Sequence, residues 1–116
     1  MSFYTNLLRR AEMVKNWRKW VERIAREAKV LIPGAEIYVI GSVARGDYVA
    51  SSDVDVVVVS PSVPRSASSR GRVKALIEER AKLPYYHPFE IHILRPVEAQ
   101  YYFRKASSYI VKIEVD

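Results

Sequence analysis

Gly41-Ser-Val-Ala-Arg-Gly-Asp-Tyr-Val-Ala-Ser-Ser-Asp-Val-Asp-Val-Val-Val-Val59 is the stretch on which the reading of this chain turns. Its second part, Asp53 to Val59, runs into an unbroken series of valines, which predicts a central strand covered on both faces. Its first part leaves an apolar strand, Glu36 to Ile40, through Gly41, with Ser42 expected to cap a short helix. Such a turn aims backbone N–H groups and a hydroxyl at a phosphate. The chain has four aspartates, and three of them, Asp47, Asp53 and Asp55, fall within nine residues. Asp53 and Asp55, two apart in a strand, are expected to leave the same face about 7 Å apart at Cβ. Unpaired carboxylates at the end of a buried strand repel unless cations sit between them. Oxygen-only ligation of this kind suits Mg2+ or Mn2+.

Upstream, Leu7, Ala11, Val14, Val21, Ile24, Ala25 and Ala28 recur at three- and four-residue steps and predict one long amphipathic helix from Tyr4 to Leu31. Met13, Trp17 and Trp20 lie at the edge of its apolar face, either widening the core stripe or forming a partner-binding edge. Downstream, Ser60 to Arg72 holds five Ser, two Pro, three Arg and one Gly and reads as a long loop, a candidate lid over a phosphate. Val73, Leu76, Ile77 and Ala81 mark a helix closed by Pro84. Phe89 to Leu94 is a strand with Glu90 and His92 on one face. Pro96 opens a short helix to about Lys105, and Tyr109, Val111, Ile113 and Val115 alternate as an edge strand. The fold class expected is α/β (α+β): a small mixed sheet of about four strands flanked by helices, one domain over residues 1–116.

The charge is uneven. Residues 1–30 carry eight Lys and Arg against three Glu, and the rest carries eleven against ten, within a net charge of +6. The basic first segment suggests an anionic partner or a solvated helix face. With no cysteine, disulfide scaffolds, thiol nucleophiles and Cys-ligated metal sites are excluded. No apolar run approaches the ~20 residues that span a bilayer, and the N-terminus is no signal peptide. The expectation is a soluble, cytoplasmic protein with no membrane partner. Scarce amides and abundant charge lean towards a thermophilic source.

Gly41-Ser42, Arg45-Gly46-Asp47 and Ser52-Asp53-Val54-Asp55 followed by valines resemble the signature of the DNA polymerase β-like nucleotidyltransferase superfamily, in particular its minimal nucleotidyltransferase (MNT) branch. The resemblance implies two Mg2+ ions and transfer of a nucleoside monophosphate from a nucleoside triphosphate, with ATP the expected donor, to an acceptor hydroxyl. By position it assigns Gly41, Ser42 and Ser52 to the nucleotide and Asp53 and Asp55 to the metals. Arg45 either touches the phosphates or pins its loop to Asp47. The superfamily also needs a third carboxylate on a neighbouring strand. Here the best candidate is Glu90, one methylene longer than the usual Asp, with His92 beside it as either a ligand or a structural residue.

No acceptor-binding domain is expected beside this one, so the acceptor is expected on a shallow surface or on another protein. The resemblance implies a helical HEPN partner, as in toxin-antitoxin pairs, and the tryptophan edge allows a homo-oligomer. Two readings follow: an active nucleotidyltransferase, and an antitoxin-like module that binds a HEPN protein and nucleotide with little or no turnover. A third, a general RNA-binding domain, is the weakest, because no stretch combines basic residues with aromatics on strands as stacking platforms require.

Overall fold

A computed structural model describes residues 2–106 and 109–116. Its elements are α1 (Phe3–Lys15), α2 (Trp17–Leu31), β1 (Glu36–Ile40), α3 (Ser42–Arg45), β2 (Val54–Val59), α4 (Ala67–Arg80), β3 (Phe89–Leu94), α5 (Pro96–Ala106) and β4 (Val111–Ile113). The four strands form one mixed sheet in the order β3-β2-β1-β4. β1 pairs antiparallel with β2 and β4, and β2 pairs parallel with β3. This is the expected fold class.

The valine run divides between two layers. Val54, Val56 and Val58 face the larger core with Ile24, Ala25 and Ala28 of α2 and Ile77 of α4. Val57 and Val59 face the other way, against Ala99, Tyr102 and Phe103 of α5. Both faces of β2 are therefore dry, which is why no polar residue alternates into it after Asp55. α5 begins as its sequence dictates: Pro96 takes the first turn, and the Glu98 carboxylate accepts the Arg95 backbone N–H at 2.8 Å.

Three expectations are corrected. The long N-terminal helix is two helices, broken at Asn16, whose side chain donates to the Glu12 carbonyl at 3.0 Å. A short amide that bonds the preceding turn competes with the helix ladder. The break re-aims α1, so Leu7 is exposed together with Phe3, Tyr4 and Leu8, whereas Met13 is inside the core. Trp17 and Trp20 are partly buried against the core, with the guanidinium of Arg23 4.5 Å from the Trp20 ring centre.

Residues 60–72 are not a long loop. Ser66 caps α4 by accepting the Ser69 N–H at 3.1 Å, so Ser66, Ser68 and Ser69, which read as loop, form the cap and first turn of a helix. The short connection before it is pinned at several points: Ser60 donates to the Pro33 carbonyl at 2.6 Å, Arg95 to Val63 O at 2.8 Å and Arg70 to Pro64 O at 2.6 Å. Val63 is fully buried. A lid role has no structural basis. The last strand is also shorter than expected, covering Val111–Ile113 but not the exposed Tyr109.

The pinned connection makes a prediction. The amide of Val63, which donates to Ser60 O at 3.2 Å, should exchange with solvent at least about a hundredfold more slowly than an unstructured amide, as burial and hydrogen bonding require. Exchange at the unprotected rate would restore the mobile-loop reading.

Candidate functional site

The site lies where β2 and β3 begin. Parallel register sets Asp55 beside Glu90 and Val57 beside His92, so the two carboxylates and the imidazole leave the same face of the sheet. One ligand atom from each of Asp55, Glu90 and His92 falls within 4.8 Å of the others. His92 Nε2 is 3.4 Å from Asp55 Oδ1, and its ring lies 5.0 Å, centre to centre, from Tyr102 of α5. α5 thus walls one side of the cluster while the carboxylate end stays open.

Gly41 forms the opposite rim. Its φ of 85° is in the region that favours glycine, and a Cβ built there would come 2.9 Å from Asp55 Oδ2. The residue is therefore constrained twice, by its backbone and by the carboxylate it lets approach. Gly41, rather than Ser42 as expected, is the N-cap, and Ser42 is the first residue of α3. The first N–H groups of such a turn have no partner within the helix. The turn closes through Gly46, also at positive φ, whose N–H reaches Ser42 O at 3.0 Å.

The remaining site residues of the sequence reading are placed as follows. Arg45 donates to Asp47 at 3.2 Å, the loop-pinning contact, with both side chains well exposed. Ser52 closes a turn, its hydroxyl accepting the Val49 N–H at 2.9 Å. Asp53 lies just ahead of β2, and its carboxylate bonds Arg10 of α1 at 2.5 Å. The structure thus gathers Asp55, Glu90 and His92, and turns Asp53 towards α1. Arg10 carried no mark in the sequence: it is one of eight cations in the first thirty residues, and no local motif links it to Asp53.

The charges respond to this crowding. The hydrogen bond from His92 holds the Asp55 carboxyl below its ordinary value, against the opposing effect of burial. Glu90 is pushed up, first by desolvation against the sheet, then by Asp55 as hydrogen-bond partner and charge, and by the charge of Asp53. The two carboxylates are pushed apart, so a proton taken up by the pair resides on Glu90, and a cation between them would relieve their repulsion. Two carboxylates and one imidazole, with an open side, form a donor set suited to a divalent metal. A cleft of about 480 Å³ lined by Met13, Trp20 and Tyr86 lies elsewhere, between the N-terminal helices and the Pro84–Tyr86 segment.

Because the Glu90 carboxyl is raised, its share of stability is present below its unfolded value of about 4.5 and is lost as pH rises through the folded value. Glu90→Gln should therefore be more stable than the wild type at pH 7, by no more than about 1 kcal/mol at so exposed a position. The gain should vanish below pH 4.5. Urea denaturation at both pH values reads it, and a loss of stability at pH 7 would mean that Glu90 is held by attraction instead.

Residues 21–116 match the nucleotidyltransferase domain family. The fold is similar to that of a Sulfolobus solfataricus protein assigned to the nucleotidyltransferases, with a TM-score of 0.62 and 21% identity over 87% of this chain and 82% of that one. A second solved structure with the same assignment is 30% identical, with a TM-score of 0.60 over 81% of this chain and 97% of that one. No curated protein sequence matches the chain. Among the described residues, no helix is long and apolar enough to cross a membrane.

Proposed function

The chain belongs to the nucleotidyltransferase domain family of the polymerase β-like superfamily and is a nucleotidyltransferase, and we propose that it moves a nucleoside monophosphate from ATP to a hydroxyl on a partner protein. The observation that carries this reading is the Asp55-Glu90-His92 cluster opposite the Gly41-Ser42 turn, a candidate metal site facing a candidate phosphate cradle. Asp53 and Asp55 would hold the metal that carries the triphosphate, and Asp55 with Glu90 the second, with His92 close enough to join either set. Bound there, Mg2+ or Mn2+ would neutralise the phosphates and lower the pKa of the attacking hydroxyl. An imidazole in the set favours Mn2+ over Mg2+ relative to an all-oxygen site.

The chain's own groups have separable tasks. The Gly41-Ser42 turn supplies backbone N–H groups and a hydroxyl to the phosphates. The pair of Arg45 with Asp47 is exposed and weak, so Arg45 is free to turn to a phosphate. Ser52 holds the turn that presents Asp53, so its contribution to nucleotide binding is through that geometry. Glu90, exposed beside Asp55 at the open side of the cluster, is placed to help take the proton as the acceptor oxygen bonds to the α-phosphorus and pyrophosphate leaves.

A protein acceptor is supported by the surface of α1, where Phe3, Tyr4, Leu7 and Leu8 are exposed, as is Val49 of the α3–β2 connection. Contiguous exposed apolar side chains of this kind mark interaction surfaces. A helical HEPN protein is the partner proposed from the family resemblance, with self-association as the alternative use of the same surface.

Labelled ATP, Mn2+ and the candidate partner should give a nucleotide-sized mass gain on a protein. Glu90→Gln should keep triphosphate binding within about threefold while lowering transfer by about a hundredfold or more, the usual weight of a general base. Equal transfer by wild type and Glu90→Gln would remove Glu90 from the mechanism. If neither transfers while both bind nucleotide, the chain acts as a binding module.

A further inference from the structure

Two bonds tie α1 to the segments that launch the strands of the site. Asn6 Nδ2 donates to the Tyr85 hydroxyl at 2.7 Å, in the segment that runs into β3. One turn later, Arg10 donates to the Ser52 carbonyl at 3.2 Å and to the Asp53 carboxylate, immediately before β2. Residues four apart lie on one helix face, so both ties come from the same side of α1. The two anchored segments also bond each other, Val54 N–H to Pro88 O at 2.9 Å. The family match begins at residue 21, so α1 precedes the matched domain.

Arg10 is no loose surface cation. Its side chain is only 20% exposed, against 57% for that of Asp53, and its fork bonds a backbone carbonyl and a carboxylate together. The consequence appears in the cluster: Asp55, Glu90 and His92 converge, and Asp53 is not among them. An oxygen of Asp53 bound to a metal must compete with the guanidinium that now holds it.

The geometry points to Arg10 as a positioning residue with two states. In one, it latches Asp53 against α1 through the ion pair described above. When a metal-bound triphosphate enters, Asp53 turns to the metal and the released guanidinium, already beside the site, pairs with a phosphate oxygen. The exchange conserves charge pairing: one cation leaves a carboxylate as another arrives, and the freed cation finds a new anion. A metal ion arriving alone offers Arg10 no such anion, so the latch opposes bare metal and favours metal with triphosphate. This inference rests on the proposed nucleotidyltransferase site.

Calorimetric titration separates the two states. Arg10→Gln should bind Mn2+ alone about threefold more tightly than the wild type, in keeping with the loss of one ion pair whose carboxylate is exposed. The same variant should bind a non-hydrolysable ATP analogue in the presence of Mn2+ about fivefold or more weakly, through loss of a charge-assisted contact. Arg10→Lys, which keeps the charge but cannot span Ser52 and Asp53 with one fork, should recover part of the analogue affinity, and it serves if Arg10→Gln fails to fold. Opposite signs for metal and for metal with analogue support the latch. Unchanged Mn2+ affinity, or a fall in both affinities, overturns it. A wild type that binds neither Mn2+ nor the analogue defeats the nucleotidyltransferase site itself, and the latch with it.

Discussion

Negative charge crowded onto one face of a sheet is the constraint to which the rest of the site answers. Parallel register sets Asp55 against Glu90, and Asp53 lies close enough to raise Glu90 further. In a dry layer such a group would be untenable. It is placed instead at the beginning of the strands, where the sheet emerges beyond α5, and each neighbour relieves part of it. His92 donates to Asp55, Arg10 takes Asp53, and Gly41 leaves the space that a side chain would occupy. The relief is incomplete at Glu90, and a divalent cation bound beside it would supply the remainder.

The two layers divide the work. The large core under α2 and α4 fixes β2 and β3 in register through Val54, Val56, Val58, Ile91 and Ile93. The smaller layer under α5 ends at His92 and Tyr102, at the edge of the carboxylates. A rigid sheet therefore holds Asp55, Glu90 and His92, whereas Asp53 belongs to the connection ahead of β2 and is steered by α1. Side chains on regular strands are held more firmly than those on loops. Of the residues proposed for the site's carboxylates, Asp53 is the one outside the strand ladder.

Much of this was legible before the structure. The valine run announced a strand buried on both faces, and the alternation of Glu90 and His92 placed both on one side. Asp53 and Asp55 were harder. Period two sets them on one face only if both are in the strand, and β2 starts at Val54, so local geometry freed Asp53 to pair with a residue 43 positions away. No pattern in the sequence encodes a contact that depends on where a separate helix docks. The break at Asn16 was concealed for a related reason: the apolar spacing continues across it, and only an amide that bonds back to Glu12 marks it. Ser66 to Ser69 was misread because serine serves both loops and helix caps, and composition alone does not choose between them.

The central claim is that the ends of β2 and β3 form one metal and triphosphate site. A crystal structure of the protein with Mn2+ and a non-hydrolysable ATP analogue, with the anomalous signal of manganese used to place the ions, tests it most directly. The account predicts manganese bound by Asp55 together with Glu90 or Asp53, and the analogue's phosphates against the Gly41-Ser42 turn. Manganese bound away from Asp55, or phosphates seated on another face of the molecule, would contradict it.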